Sequence, residues 1–244
     1  MNKIRRTFKY LRLYRNPIHY FQAKLSNDRN KTKIVCLRNG ARFKLHMGNS
    51  DINSVNEVFG TDAYSHFFSK IKQGNTFVDI GANIGTVSVA AGLRGAKVIA
   101  FEPNPYVTGL LRENLSLNRV SAVVHEKGVA GRSGKRSFHF VPTMWGGGSL
   151  HREDGEAIEI DCVGINDFLD GYGNIDFMKI DIEGGEQEIL GSISDKNIRK
   201  VKNFFIEYHS PLVSGEFIAR KLKKHGFKAG ISREFCVTTG ERLG

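Results

Sequence analysis

Short apolar runs alternate with longer segments of helical periodicity over most of this 244-residue chain. The pattern predicts strands at 77–80, 97–102, 121–126, 157–163, 175–181 and 203–209, and two last strands near 227–231 and 235–239. Helices are expected between them, at 84–93, 105–117, 165–170, 186–190 and 215–225. Strands that alternate with helices are typical of an α/β protein with a mostly parallel sheet and helices on both faces.

Two regions depart from this alternation. The segment 33–73 predicts a hairpin, with strands at 33–37 and 41–46 around Arg38-Asn39-Gly40, and then helices at 51–59 and 63–71. The segment 128–157 is rich in glycine and holds one strand-like piece at 137–141. We therefore expect an N-terminal extension at 1–32 and a single domain at 33–244, in which 33–73 precedes an α/β core at 74–244.

The net charge of +11 is concentrated at the N-terminus, because residues 1–33 hold ten basic residues and one acid. Ile4, Phe8, Leu11 and Tyr14 have roughly helical spacing there, which predicts a short amphipathic helix. We favour packing of this helix on the domain with its charges in water. Contact of residues 1–24 with an anionic membrane surface and contact with nucleic acid are alternatives. The remainder of the chain is almost neutral, so nucleic acid is the less favoured partner.

Other features of composition indicate a soluble protein of the cytoplasm, with membrane-surface association as an alternative. The chain lacks an apolar run of membrane-spanning length, and its N-terminus does not resemble a signal peptide. Three widely spaced cysteines (Cys36, Cys162 and Cys236) show neither metal-ligand spacing nor a disulfide framework.

The stretch DIGANIG at 79–85 follows a predicted strand and leads into a helix. Gly81 permits a tight turn, and Gly85 permits close helix packing and exposes backbone N–H groups. The dinucleotide fingerprint has a glycine where this chain has Asn83. Asp79 would repel a pyrophosphate but could hold an ammonium group. The turn therefore favours a cofactor with a positively charged amino-acid end.

Glu102 lies at the end of the next predicted strand, 21 residues after Gly81, and Pro103 stops that strand. In nucleotide-binding α/β folds an acid at about this distance from the glycine turn binds the ribose hydroxyls. The two motifs together predict an adenosyl cofactor with an amino-acid tail.

Four segments of the chain resemble FkbM-type S-adenosylmethionine-dependent methyltransferases. They are VDIGANIG (78–85), AFEPNP (100–105), MKIDIEGGE (178–186) and IEYH (206–209). The resemblance implies a Rossmann-like class I methyltransferase fold with a seven-stranded sheet. It also implies methyl transfer to a hydroxyl oxygen of a sugar, glycan, glycolipid or related metabolite. By the same resemblance the cofactor is held by Asp79, Gly81, Asn83, Gly85 and Glu102, with Pro103 beside them. The run 127–131 departs from the family's pattern after the third strand.

Candidate catalytic residues lie at the ends of the fourth and fifth core strands. Asp181 and Glu183 follow one strand, and Glu207 and His209 alternate onto one face of the next. A hydroxyl acceptor needs a base, and a histidine with a pKa near neutrality suits that role. Asp181, Glu207 and His209 could instead hold a divalent cation, an alternative that we do not favour. Glycines 146–148 suggest a mobile loop near the acceptor, with Trp145 as a stacking platform for a sugar.

The leading hypothesis is thus an S-adenosylmethionine-dependent O-methyltransferase. An RNA methyltransferase is an alternative because of the basic N-terminus. A non-enzymatic cofactor-binding protein at a membrane surface is another. The sequence leaves open the acceptor, the methylated position, metal dependence and the oligomeric state.

Overall fold

The computed structural model of the protein describes residues 10–26, 28, 31–141, 144–151, 155–209, 213–232 and 237–242, with backbone alone for 144–147. Within these ranges, no helix combines the length and apolar character needed to cross a membrane. Cys36 and Cys162 are free thiols, and Cys236 lies outside the described residues.

The order of elements follows the predicted alternation closely. The helices are α1 (Pro17–Leu25), α2 (Asp51–Gly60), α3 (Ser65–Ser69), α4 (Thr86–Gly92), α5 (Pro105–Leu117), α6 (Ile165–Asp170), α7 (Glu186–Ser192), α8 (Asp195–Ile198) and α9 (Gly215–Lys224). The strands are β1 (Thr32–Cys36), β2 (Arg42–His46), β3 (Thr76–Ile80), β4 (Lys97–Phe101), β5 (Ala122–His125), β6 (Gly128–Ala130), β7 (Gly134–Val141), β8 (Met144–Ser149), β9 (Glu156–Gly164), β10 (Ile175–Ile180), β11 (Val201–Glu207), β12 (Phe227–Ser232) and β13 (Val237–Arg242).

The main sheet has seven strands in the order β12-β13-β11-β10-β3-β4-β5. The run from β11 to β5 is parallel, and β13 is antiparallel to both of its neighbours. This is the predicted Rossmann-like class I methyltransferase fold, so the expected fold class is confirmed. The strand order reverses between β3 and β10, and ligands of such sheets bind beyond the carboxyl ends of the strands at that point.

Buried side chains cover both faces of the main sheet. On one face, Phe67 packs edge-on against Phe77 and Phe177, with ring centroids 5.9 and 5.3 Å away. On the other, apolar residues of α6, α7 and α9 pack against Val78, Ile80 and Ile180. The sheet is therefore buried on both sides, which explains why its central strands are almost continuously apolar.

The N-terminal segment packs into the main core. Tyr14 and Tyr20 are fully buried, and the Tyr14 hydroxyl donates to Asn56 Oδ1 of α2 at 2.8 Å. Tyr10 and Leu11 are helical, but Tyr14 pairs with Leu37 as an isolated bridge, so the expected helix is wrong at Tyr14; α1 begins at Pro17, capped by Asn16. Residues 1–9, which carry the rest of that expected helix, lie outside the described residues.

A second sheet of four strands, in the order β6-β9-β7-β8, is inserted between β5 and α6. The sequence predicts β9 and part of β7. For residues 146–148 it suggests a mobile loop. That expectation is wrong, because these glycines lie within β8, which pairs with β7. A strand of glycines has no periodicity, since it has no side chains to alternate. Trp145 lies among the residues whose side chains are not described, so its proposed contact with a sugar stays a prediction.

Candidate functional site

The turn after β3 has a backbone that only glycine fits. Gly81 has a φ of +79°, and a Cβ placed there would lie 1.8 Å from the Asp181 carbonyl oxygen. Gly85, with a φ of +87°, caps α4, and a Cβ there would lie 2.6 Å from Leu111 Cδ1. The first glycine thus brings the two central strand ends together, and the second seats helix α4 against α5.

Asp79 belongs to β3, just before this turn, and is fully buried. Its Oδ2 accepts a hydrogen bond from Ser88 at 2.6 Å, and its Oδ1 lies 3.4 Å from Lys179 Nζ. Burial raises the pKa of Asp79, while Lys179 and Ser88 oppose that shift. The carboxylate therefore faces a lysine of this chain, and its expected role in holding the ammonium group of a cofactor stays a prediction.

Glu102 follows β4 and is buried at the floor of a cleft. Its Oε1 accepts from the Asn104 N–H and its Oε2 from the Asn83 N–H, both at 2.8 Å. Burial raises the pKa of Glu102 to about 7 in spite of these two hydrogen bonds. Each carboxylate oxygen keeps a further lone pair, so the group can still accept from a vicinal diol.

The cofactor cleft, as we name it, opens at the carboxyl ends of β3, β4 and β10 and encloses about 610 Å³ of space that is partly open to solvent. Gly81, Asn83, Glu102 and Pro103 line it as predicted. Its other lining residues are Ile80, Phe101, Lys127, Gly128, Val129, Phe138, Gly148, Leu150, Asp181, Ile182 and Glu183. The four-stranded sheet thus supplies a wall of the cleft through Phe138, Gly148 and Leu150.

A second space, which we call the acid-lined cavity, lies on the other side of the glycine turn and encloses about 560 Å³. It shares Gly81, Asn83, Asp181 and Glu183 with the cofactor cleft. The remaining lining residues are Ser54, Glu57, Val58, Tyr64, Ala82, Thr86, Val87, Lys179 and Glu207. Groups bound in the two spaces would therefore both lie beside Asp181 and Glu183.

Lys179 connects these parts of the site. Its ammonium donates to the Gly81 carbonyl at 2.6 Å and lies 3.1 Å from Asp181 Oδ2. Burial would lower the pKa of Lys179, but Asp181 and Asp79 outweigh burial and raise it. The side chain is 3% exposed and stays charged, so it fixes both the turn and the orientation of Asp181.

His209 lies just beyond the end of β11, at the centre of several carboxylates. Its Nδ1 lies 3.0 Å from Glu186 Oε1. Its Nε2 lies 3.5 Å from Glu183 Oε2, 3.8 Å from Asp181 Oδ1 and 4.0 Å from Glu207 Oε1. The four predicted catalytic residues are thus brought together, with Glu186 as a fifth member.

The protonation of this group differs from the expectation. Burial lowers the pKa of His209, but the hydrogen bond to Glu186 and the charges of Asp181 and Glu183 outweigh burial and raise it. Burial, with the charges of Asp181 and Glu57, raises the pKa of Glu207. The expected near-neutral pKa of His209 is therefore wrong: the ring carries a proton at neutral pH. A ring in that state donates hydrogen bonds and cannot accept a proton.

One oxygen each of Asp181 and Glu186 and a ring nitrogen of His209 lie within 4.8 Å of one another. Oxygen and imidazole ligands suit Mg²⁺, Mn²⁺ or Zn²⁺. Glu186, however, already accepts from the N–H groups of Ile182 at 3.0 Å and Gly184 at 3.1 Å. A metal here stays an alternative that the donor set permits and that we do not favour.

The sequence did not identify Lys179 and Glu186 as site residues, although both belong to the segment MKIDIEGGE. A lysine inside an otherwise apolar buried strand needs a charged partner, because a buried ammonium is rarely left unpaired. Glu186 was assigned only as the first residue of a helix. Glu57 and Phe138 gave no sequence signal, because their approach to the site depends on tertiary packing.

Comparison with known proteins agrees with this topology. The Methyltransferase FkbM domain matches residues 79–229, which is more than half of the chain and includes the end of β3, all of β4, β10 and β11, and their site residues. The protein belongs to the FkbM methyltransferase family. It is therefore a methyltransferase, as the four sequence segments predicted.

Several relatives and solved structures are similar to it. The 31-O-demethyl-FK506 methyltransferase FkbM of Streptomyces tacrolimicus is 28% identical over 70% of this chain and 79% of its own length. The hexuronic acid methyltransferase AglP of Haloferax volcanii is 25% identical over 61% of this chain and 62% of its own. The tRNA (uracil-54, C5)-methyltransferase of Pyrococcus abyssi, in complex with S-adenosyl-L-homocysteine, aligns with a TM-score of 0.48 at 13% identity, covering 87% of this chain and 44% of that one.

Proposed function

We propose that this methyltransferase uses S-adenosylmethionine to methylate a hydroxyl oxygen of a sugar, glycan, glycolipid or related metabolite. The observation that carries the proposal is the junction of two spaces beside Asp181. The cofactor cleft has the parts that an adenosyl group needs, and the acid-lined cavity offers a separate site for an acceptor. When bound, S-adenosylmethionine supplies an electrophilic methyl group.

In the cofactor cleft, Glu102 accepts hydrogen bonds from the ribose hydroxyls, as its position after β4 suggests. Phe101, Val129 and Phe138 provide apolar surface for the adenine ring. The turn at Gly81 and Asn83 borders the amino-acid end, and the carboxylate of Glu183 attracts its ammonium group.

In the acid-lined cavity, Asp181 would orient the acceptor hydroxyl and take its proton when the oxygen receives the methyl group that S-adenosylmethionine would supply, with S-adenosylhomocysteine as the other product. Lys179, at 3.1 Å, and protonated His209, at 3.8 Å, compensate the charge of Asp181. Glu183 accepts hydrogen bonds from neighbouring hydroxyls, and the raised pKa of Glu207 also lets that residue donate one. Holding the oxygen in line with the breaking carbon–sulfur bond supplies much of the acceleration, and the base adds to it.

Support for an oxygen acceptor also comes from the relatives, since two are named as a 31-O-demethyl-FK506 methyltransferase and a hexuronic acid methyltransferase. The carboxylates around the cavity add a restriction for this chain. Asp181 and Glu183 would repel a carboxylate or phosphate beside the reacting hydroxyl, whereas the raised pKa of Glu57 and of Glu207 favours hydrogen bonding there. We therefore propose a neutral or cationic polyol as the acceptor.

The test is a methyl-transfer screen with radiolabelled S-adenosylmethionine against neutral sugars, amino sugars, uronic acids, nucleotide sugars and single-stranded RNA. Methylation of a neutral or amino sugar, with the label in an ether linkage, is the expected outcome. Calorimetry with S-adenosylmethionine on wild type and Glu102→Ala tests the cofactor separately. Normal affinity in Glu102→Ala would refute the assignment of the cleft, and labelling of RNA alone would refute the acceptor class.

A further inference from the structure

The helix α1 exposes an apolar face that the domain does not cover. Among the described residues, eight large apolar side chains are exposed, and three of them lie on this one helix. They are Ile18, Phe21 and Leu25, which are 63%, 40% and 69% exposed. Isolated exposed apolar residues are ordinary in soluble proteins, but a row of three on one helix face marks an interaction surface.

The three side chains share one face because of their spacing. Ile18, Phe21 and Leu25 are three and four positions apart, which places them within about 60° on the helix surface. Tyr20 and Ala23 on the opposite face are fully buried. The Ala23 carbonyl also accepts from the Gly48 N–H at 2.7 Å. The helix is thus fastened to the domain on one side, and its apolar row faces outward.

The charge around this row indicates what covers it. Residues 10–26 contain Arg12, Arg15 and Lys24 and no acid, and all three basic side chains are exposed. Residues 1–9 add Lys3, Arg5, Arg6 and Lys9, again without an acid. The segment 1–33 carries a net charge of +9, so the remainder of the chain carries +2. The positive charge of this protein is therefore concentrated in the segment of the sequence that contains the apolar helix.

We propose that α1 binds the surface of a bilayer that contains anionic lipids, with Ile18, Phe21 and Leu25 inserted at the acyl boundary and the basic side chains at the headgroups. An apolar helix face flanked by arginine and lysine is the arrangement that binds in the plane of such an interface. Nucleic acid would use the positive charge but leaves the two aliphatic side chains without a partner. Single-stranded nucleic acid sites use aromatic stacking along a basic groove.

This surface goes beyond the methyl transfer and has a structural link to it. Tyr14, three residues before α1, donates a hydrogen bond to Asn56 of α2. On α2, Ser54, Glu57 and Val58 line the acid-lined cavity. Docking of α1 on a bilayer would therefore hold the acid-lined cavity close to the membrane surface.

Vesicle co-sedimentation of the full chain tests the proposal, with no cofactor or acceptor present. Vesicles of phosphatidylcholine alone are compared with vesicles that also contain phosphatidylserine. We expect binding to the anionic vesicles and a decrease of about 10-fold or more in their binding by Ile18→Ser/Phe21→Ser/Leu25→Ser. A double variant, Arg12→Glu/Arg15→Glu, is expected to lose the preference for phosphatidylserine.

The matched control is Leu93→Ser/Val123→Ser, which removes two exposed apolar side chains elsewhere on the surface and should bind vesicles normally. Thermal melting checks the fold of each variant; Leu25→Ser, the most exposed single position, replaces the triple variant if that one does not fold. Wild-type protein that stays in the supernatant, or a folded apolar-face variant that binds like wild type, would overturn the proposal. So would binding to single-stranded RNA in place of vesicles.

Discussion

Lys179 Nζ lies 3.4 Å from Asp79 Oδ1, and both side chains are almost completely enclosed by protein. The lysine belongs to β10 and the aspartate to β3, so the ion pair joins the two strands between which the strand order reverses. Asp79 opens the sequence motif, yet its nearest cation is a lysine 100 residues further along the chain. The ion pair therefore stabilises the two strands that position the turn at Gly81.

Replacement of Lys179 by methionine should destabilise the protein strongly. It would leave Asp79 buried without a cation, and breaking one side of a buried pair costs about 3–5 kcal/mol. Urea denaturation followed by circular dichroism measures the loss of unfolding free energy. The double variant Asp79→Asn/Lys179→Met should recover part of it, because the fully buried position 79 then carries no charge, while Asp181 is partly exposed.

Lys202→Met is the matched control, since Lys202 pairs with Asp176 at 2.7 Å but is half exposed. An exposed pair of this kind contributes about 0–1 kcal/mol. If Lys179→Met costs no more than Lys202→Met, the buried pair is not a determinant of stability.

Two glycines provide a second comparison. Gly81→Ala would place a Cβ 1.8 Å from the Asp181 carbonyl oxygen at a positive φ, so we expect failure to fold or complete loss of cofactor binding. Gly109→Ala adds a Cβ that meets nothing within 4 Å, inside helix α5. That change should stabilise the protein by about 1 kcal/mol. Thermal melting and calorimetry with S-adenosylmethionine measure both effects. Normal cofactor affinity in Gly81→Ala would show that the turn adapts.

The sequence predicted the main sheet because its signals are local. Buried parallel strands such as 175–180 read as apolar runs, and the Asn104-Pro105 helix start has its own capping chemistry, with the Asn104 side chain accepting from the Tyr106 N–H. The cofactor motif and Glu102 follow strand ends, where side chains are forced to one edge of the sheet. These features need no tertiary information.

Features that depend on pairing between distant segments were missed. The strand β8 is rich in glycine, and it can be recognised as a strand only from its pairing with β7. The protonated state of His209 depends on two carboxylates of another segment, those of Asp181 and Glu186, and no spacing in the sequence reveals their distances from the ring. The exposure of the apolar face of α1 depends likewise on which side of the helix the domain covers.

Glu102 should make cofactor binding depend on pH. Burial raises its pKa from the ordinary 4.5 to about 7, and binding of the ribose hydroxyls favours the ionised carboxylate. The affinity for S-adenosylmethionine should therefore increase as the pH rises from about 6 to about 8. Calorimetry across this range measures it. Glu102→Gln should bind more weakly and lose the pH dependence; the same slope in that variant would assign it to another group.

The effect of the same group on stability has the opposite sign. Because the folded state binds the Glu102 proton more tightly than the unfolded chain, this group lowers the free energy of unfolding as the pH rises from about 4.5 to about 7. Above that window its contribution is constant. Urea denaturation of wild type and Glu102→Gln in the absence of cofactor should give curves that converge at low pH and separate as the pH rises. Parallel curves would contradict the raised pKa.

Chelation of divalent cations should leave turnover unchanged. Lys179 lies 3.1 Å from Asp181 Oδ2, backbone N–H groups hold Glu186, and protonated His209 would have to lose its proton to bind a metal. Methyl transfer measured with and without EDTA tests this expectation, and titration with Mn²⁺ in the calorimeter checks binding directly. Loss of turnover on chelation that Mg²⁺ or Mn²⁺ restores would establish a metal at Asp181, Glu186 and His209.

Asp181 and His209 should have separable effects on turnover. Asp181→Asn removes the proposed proton acceptor and should decrease kcat by about 10²–10⁴-fold, the usual contribution of a general base. His209→Gln retains a hydrogen-bond donor beside Asp181 but removes its positive charge, so the loss should be smaller. Neither change touches Glu102, and cofactor affinity should stay within about threefold of wild type, a difference of under 1 kcal/mol.

The pH profile of kcat separates the two assignments. If Asp181 takes the proton, His209→Gln keeps the shape of the wild-type profile. If neutral His209 takes it, wild-type kcat increases on the alkaline side, because the pKa of that ring is raised above its ordinary value, and the increase disappears in His209→Gln. In that case His209 would replace Asp181 as the catalytic base, and Asp181 would act by holding the protonated ring.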